Sequence, residues 1–162
     1  VECVEPVSMN GRIISSTLIR RLIQEGDVRQ ASRLMLHPYR IEGTVVHGMA
    51  RGRSLGFPTA NILPAKALLP AYGVYAVYVD RPGGRSRAVA NIGNNPTFGD
   101  VCTSIEAFLF DFSGDLYGCP ITVEFVDFIR GEIKFPDHRY LVEQIERDCG
   151  RALEILGGGD AR

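Results

Sequence analysis

The chain has 162 residues, room for one domain with a real core or for a domain with a small appendage. Hydrophobic residues make up 45%, charged residues 23%, and the net charge is −1, so no global field favours nucleic acid or an anionic membrane. Cys3, Cys102, Cys119 and Cys149 form no CxxC pair, the three histidines add no zinc spacing, and no apolar run approaches the ~20 residues of a membrane span.

Residues 1–14 read as an edge, with Val1, Val4 and Val7 among polar neighbours. Ser15 or Ser16 is placed to cap a helix beginning near Thr17, with Leu18, Ile19, Leu22 and Ile23 at helical spacing and Gly26 as its stop. Asp27 caps a second helix through Ala31, Leu34 and Met35, which Pro38 ends. Strands are predicted over 41–46, 72–79, 87–92, 105–110 and 121–128, with a hairpin turn at Arg81-Pro82-Gly83-Gly84 and another turn around Ser113-Gly114-Asp115. Short strands with turns between them, and no long helices, predict a mainly β fold: a closed antiparallel Greek-key-type barrel of about six strands. Leu141, Val142, Ile145, Cys149, Ala152 and Leu156 recur at three- and four-residue steps, an amphipathic helix capped by Asp137 and ended by Gly157-Gly158-Gly159, expected to close one end or face of the barrel.

The richest stretch for chemistry is Gly52-Arg53-Ser54-Leu55-Gly56-Phe57-Pro58-Thr59-Ala60-Asn61. Glycine lets backbone approach a ligand closely, and arginine offers a fork of donors suited to phosphate. If Pro58 leads into extended chain, Thr59 and Asn61 share a face and can offer two neutral oxygens to one Mg²⁺, an ion that prefers oxygen and takes phosphate ligands too. With Gly48 and Arg51 upstream, the segment reads as a metal–nucleotide site, although it matches neither the P-loop nor the GxGxxG pattern. Two further candidates stand downstream. The segment Asn91-Ile92-Gly93-Asn94-Asn95-Pro96-Thr97-Phe98-Gly99 reads either as a structural loop or as a loop over a planar ligand with Phe98 as an apolar wall. Glu106, a carboxylate inside Ile105-Glu106-Ala107-Phe108-Leu109-Phe110, reads either as an outward-facing acid or as a general base.

Together these motifs resemble the riboflavin kinase family. The resemblance runs from Gly43-x-Val45-x-x-Gly48 through Pro58-Thr59-Ala60-Asn61, Gly73-Val74-Tyr75, Asn91-Ile92-Gly93 with Pro96-Thr97-Phe98, Glu106 and Asp115-Leu116-Tyr117-Gly118 to Phe128-Ile129-Arg130 and the closing helix. It covers about residues 39–156; one departure is Leu36-His37-Pro38-Tyr39, where the family often has Gly-Arg before Pro-Tyr. Upstream, Ile14-Ser15-Ser16-Thr17-Leu18-Ile19-Arg20 is similar to the last motif of the FMN adenylyltransferase module of bacterial bifunctional FAD synthetases, where these residues help hold nucleotide phosphates. The resemblance implies a remnant or linker over 1–38, a kinase barrel with its helix over 39–157 and a tail over 158–162, with the rest of the adenylyltransferase module missing and its activity absent. The opening valine agrees with an excised fragment, and a cytoplasmic placement with reduced thiols is expected.

It further implies transfer of the γ-phosphoryl of ATP to the ribityl 5′-hydroxyl of riboflavin, giving FMN and ADP. The expected roles are Glu106 as catalytic base, and Thr59 and Asn61 on Mg²⁺. Gly48, Gly52, Arg53, Gly56, Phe57 and Pro58 are expected around ATP. Phe98, Arg130 and Phe135, within walls at 95–100 and 130–135, are expected around riboflavin. The alternatives are a flavin- or nucleotide-binding barrel without catalysis, or a single-strand nucleic-acid module using Arg51, Arg53, Arg85 and Arg87 with Tyr75. The net charge disfavours the latter, and neither a nucleic-acid nor a membrane partner is expected.

Overall fold

The computed structural model describes residues 8–9, 12–48, 52, 55–98 and 100–158, with backbone alone at 9, 12, 94–98 and 100–102. Two residue pairs, β1 (Ser8–Met9) and β2 (Arg12–Ile13), form a small ribbon. Helices α1 (Ser16–Gln24) and α2 (Val28–Met35) follow as a hairpin. Ser15 caps α1 by accepting from the Leu18 amide, and Asp27 caps α2 by accepting from the Gln30 amide, so both ends fall where side-chain oxygens meet orphan N–H groups.

Six strands then close a barrel in the order β3-β4-β7-β6-β5-β8. They are β3 (Tyr39–Val46), β4 (Ala60–Pro64), β5 (Gly73–Arg81), β6 (Gly84–Phe98), β7 (Asp100–Leu109) and β8 (Pro120–Arg130). Every pairing is antiparallel. The five strands read from the sequence are all present. The sixth, β4, is the extended continuation of Pro58, and its five residues are too few to show a period. Past the predicted strand 87–92, residues 93–98, read as part of a loop, continue the strand instead. Their Asn, Gly and Pro residues look like turn formers, but Asn91 to Asn95 are each held in register against Glu106 to Cys102 of β7.

Inside the barrel lie Ile41, Val45, Ile62, Tyr75, Val77, Val79, Ile92, Ile105, Val123 and Phe125, all but inaccessible to water. The amphipathic C-terminal helix, α3 (His138–Gly157), is capped by Asp137 and followed by Gly158 at its C-cap. It packs on the outer face of the sheet, where Ala152 and Leu156 meet Val74, Ala76 and Val89. That explains β5, whose first five residues are all buried: one face meets the barrel core and the other meets α3. Burying Leu156 contributes about 1.5–3 kcal/mol, and the Tyr78 hydroxyl donates to its carbonyl at 3.0 Å, satisfying a last-turn acceptor.

The α1–α2 hairpin packs against the barrel. Val28 is fully buried in the barrel's own core cluster. Gly26, at φ +86°, sits so close to Tyr75 that an added Cβ would lie 3.1 Å from its hydroxyl. Arg29 pairs with Asp127 of β8 at 2.6 Å, and the Ser32 hydroxyl accepts from the Tyr39 amide at 3.0 Å.

Candidate active site

Between the end of β3, the start of β4 and the β7–β8 connection lies an open cleft of about 590 Å³. Gly48, Pro58, Thr59 and Asn61 form one wall, and Phe112 to Tyr117 form the other. The far wall is fixed from below. Leu116 inserts into the barrel core, the Gly118 amide donates to the Val45 carbonyl at 2.8 Å, and the Val45 amide donates to the Cys119 carbonyl at 3.1 Å. Tyr117 stacks on His47 with ring centroids 3.8 Å apart and planes 27° from parallel.

The near wall depends on glycine. A Cβ at Gly48 would lie 2.3 Å from the Asn61 carboxamide, so this side chain occupies the space that any other residue at 48 would claim. Asn61 is one of the few buried polar side chains, at 9% exposure. Gly52 lies against Thr59 in the same way: its Cβ position is 3.3 Å from the Thr59 hydroxyl, and its carbonyl accepts from the Leu55 and Phe57 amides. Two neutral oxygen donors therefore line one cleft. Among the described residues no group of three or more His, Cys, Asp or Glu gathers as a metal site. A pair of neutral oxygens suits an ion whose remaining ligands are phosphate and water.

Glu106 stands beside this wall. It is opposite Asn61 across the β4–β7 ladder and opposite Asn91 across the β6–β7 ladder. Directly opposed residues have Cβ atoms about 4.5–5.5 Å apart. Asn61, Glu106 and Asn91 thus form one polar row over three strands on the outer face of the barrel, with Glu106 half-buried in the middle. At the far end of the row, a Cβ at Gly93 would lie 3.3 Å from the Asn91 Nδ2 and 3.0 Å from Glu132 Oε1, so the Glu132 carboxylate reaches over β6 there.

The expected site residues divide accordingly. Gly48, Pro58, Thr59 and Asn61 line the cleft, with Gly52 behind Thr59. Gly56 takes φ +88°, a turn position, and Phe57 packs edge-on against Phe108 at 5.4 Å between centroids. Arg130 and Phe135 lie outside the cleft lining, beyond the other end of the row, with the Arg130 guanidinium 5.8 Å from the Phe135 ring centroid. Phe98 ends β6; its side chain, with Arg51 and Arg53, lies outside the described residues. Missed in the sequence was most of the 112–117 wall, whereas Asn91 stood in the second candidate segment and Glu132 within the expected 130–135 wall, neither with a role of its own. Of that 112–117 wall, Asp115-Leu116-Tyr117-Gly118 carried a signal, as a motif in the family's order.

The nucleic-acid alternative loses its parts. Tyr75 is fully buried and cannot stack on a base. Arg85 lies 4.2 Å over the Tyr78 ring and pairs with Asp80 and the buried Glu124, while Arg87 faces Asp111 at 3.6 Å.

Comparison with known proteins bears on the same residues. A family model described as "Flavokinase: Riboflavin kinase" matches residues 35–156. A bifunctional riboflavin kinase/FMN adenylyltransferase of Bacillus subtilis is 44% identical over 157 residues, covering 94% of this chain and 50% of that protein. Its counterpart in Haemophilus influenzae is 45% identical over 145 residues, covering 89% and 47%. The chain thus spans about half the length of these relatives. Among solved structures, riboflavin kinase from Trypanosoma brucei superposes with a TM-score of 0.54 at 26% identity, over 75% of this chain and 82% of that one. A Streptococcus pneumoniae structure described as a macrolide-efflux protein superposes at 0.84 with 40% identity, over 91% and 49%. No helix among the described residues is long and apolar enough to cross a membrane.

Proposed function

The chain belongs to the riboflavin kinase family, and from that premise we propose that it transfers the γ-phosphoryl group of ATP to the ribityl 5′-hydroxyl of riboflavin, releasing FMN and ADP. The observation that carries this reading is the polar row Asn61–Glu106–Asn91, with a cleft at one end and the Glu132 carboxylate at the other. Phosphoryl transfer asks a protein mainly to align donor and acceptor and to neutralise charge. A nucleotide in the cleft brings its phosphates to Thr59 and Asn61. A flavin lying toward Asn91 and Arg130 brings its ribityl chain to Glu106 from the other side.

In this reading the ribityl oxygen attacks the γ-phosphorus, the bond to the β–γ bridging oxygen breaks with ADP leaving, and Glu106 accepts the hydroxyl proton. The Thr59 hydroxyl and the Asn61 carboxamide oxygen would hold a Mg²⁺ ion, which would supply neutralisation of phosphate charge. Gly48 keeps Asn61 in place because no larger residue fits above it. On the opposite wall Tyr117, backed by the stacked His47, offers a flat surface to a purine base. A substrate as common in the cytoplasm as ATP agrees with a cytoplasmic placement.

The test is incubation of the chain with riboflavin, ATP and Mg²⁺, with chromatographic separation of flavins over time. FMN accumulating in step with ADP supports the reading. A folded chain that quenches riboflavin fluorescence but forms no FMN would refute catalysis and leave a binding module.

A further inference from the structure

Beyond the row, the C-terminal helix reaches back into the site. The Asp148 side chain, on α3, is 5% exposed and accepts from Arg130 three times: from Nε at 3.0 Å on each carboxylate oxygen and from Nη2 at 2.7 Å. Gln144, one turn earlier, donates to the same carboxylate at 2.9 Å. The remaining arginine nitrogen, Nη1, donates to the Gly131 carbonyl at 2.9 Å. Each guanidinium nitrogen therefore already has an acceptor. Arg130 is the last residue of β8, and Gly131 opens the segment that carries Glu132 over Gly93 and Phe135 beside the guanidinium. The other end of the segment is fixed too, because Asp137 caps α3.

We propose that Asp148 is a positioning residue for the flavin-side wall, acting through Arg130 on the 131–137 segment. Stability alone is a poor reason for this pair: a buried ion pair costs desolvation, and apolar residues of similar volume often serve a fold equally well. A planar fork on a carboxylate fixes direction in a way that apolar packing does not. Here the fixed direction is that of Gly131, and with it the placement of Glu132 over Gly93 and of Phe135 beside the guanidinium. The inference deepens the proposed function and rests on its assignment of this side to riboflavin.

The experiment measures KM for riboflavin and KM for ATP separately, with the melting temperature, in Asp148→Asn and in the double variant Arg130→Met/Asp148→Leu. Displacing a binding wall by about 1 Å can cost on the order of 100-fold. We expect the riboflavin KM of Asp148→Asn to rise about 10- to 100-fold, with the ATP KM unchanged. The apolar pair is expected to recover the melting temperature and not the riboflavin KM. If Asp148→Asn fails to fold, the double variant carries the comparison. An unchanged riboflavin KM, or recovery of KM together with melting temperature in the double variant, overturns the positioning role. Should the wild-type chain form no FMN, the kinase reading fails on its own. Riboflavin fluorescence titration then decides this inference: weaker binding in Asp148→Asn supports it, and equal binding overturns it.

Discussion

Glu106 is where one atom matters most. Its neighbours in the β7 sequence are apolar, but alternation puts Ile105 and Ala107 inside the barrel and Glu106 outside, between two asparagines. Glu106→Gln keeps the size and one acceptor oxygen and replaces the other, basic oxygen by an amide donor. A general base typically contributes ~10²–10⁴-fold, so kcat should fall by about that factor while both KM values change little. Steady-state rates across a riboflavin and an ATP series make the check, and a rate near wild type would remove Glu106 from the role. The period of two in Pro58-Thr59-Ala60-Asn61 made the cleft wall legible in the sequence. Asn91 and Glu132 fell within candidate segments, but their places beside Glu106 and Gly93, and Asp148 altogether, were not legible, because each depends on register or tertiary packing that no short window contains.

At the scale of elements, the α1–α2 hairpin is the least expected contributor. Two helices of 9 and 8 residues are too short to be stable alone. Their apolar stripe finds its cover on the barrel, and Val28 is the contact that reaches the core. Val28→Ala removes two buried methyl groups and leaves a void, so urea unfolding should show a loss of about 2 kcal/mol for the whole domain. Leu36→Ala, at a position 86% exposed, should change stability by no more than about 0.5 kcal/mol. Equal, negligible effects from the two would mean that the hairpin unfolds independently of the barrel. The helix boundaries were readable because Ser15, Asp27, Asp137 and Gly26 act on their own neighbours in sequence. The strands β4 and the far half of β6 were not, since their conformation is held by partners on β3 and β7.

The whole molecule combines two hydrophobic layers, and each holds ionisable groups whose protons are bound more tightly in the folded state. Burial raises the Tyr39 and Tyr75 hydroxyls of the inner layer above the ordinary phenol range. In the outer layer burial pushes the Cys149 thiol up to about 11, helped by the negative charges of Asp148 and Glu146. Up to about pH 8.5, folded and unfolded chains both keep these protons and stability is independent of pH through them. Above that, the unfolded chain begins to release the thiol proton, and from about pH 10 the phenol protons, while the folded chain holds on to both. The unfolded state then binds fewer protons, so stability falls as pH rises. The Cys149 contribution runs over roughly pH 9 to 11, and the tyrosine contribution begins near pH 10 and continues upward. Melting temperatures at half-unit steps from pH 7 to 11 should be flat at first and decline from about pH 9. Cys149→Ala should move the onset of the decline toward pH 10, where only the tyrosines act. A melting temperature constant to pH 11 would mean that the buried hydroxyls and thiol exchange freely with solvent, and that neither layer is as closed as its packing implies.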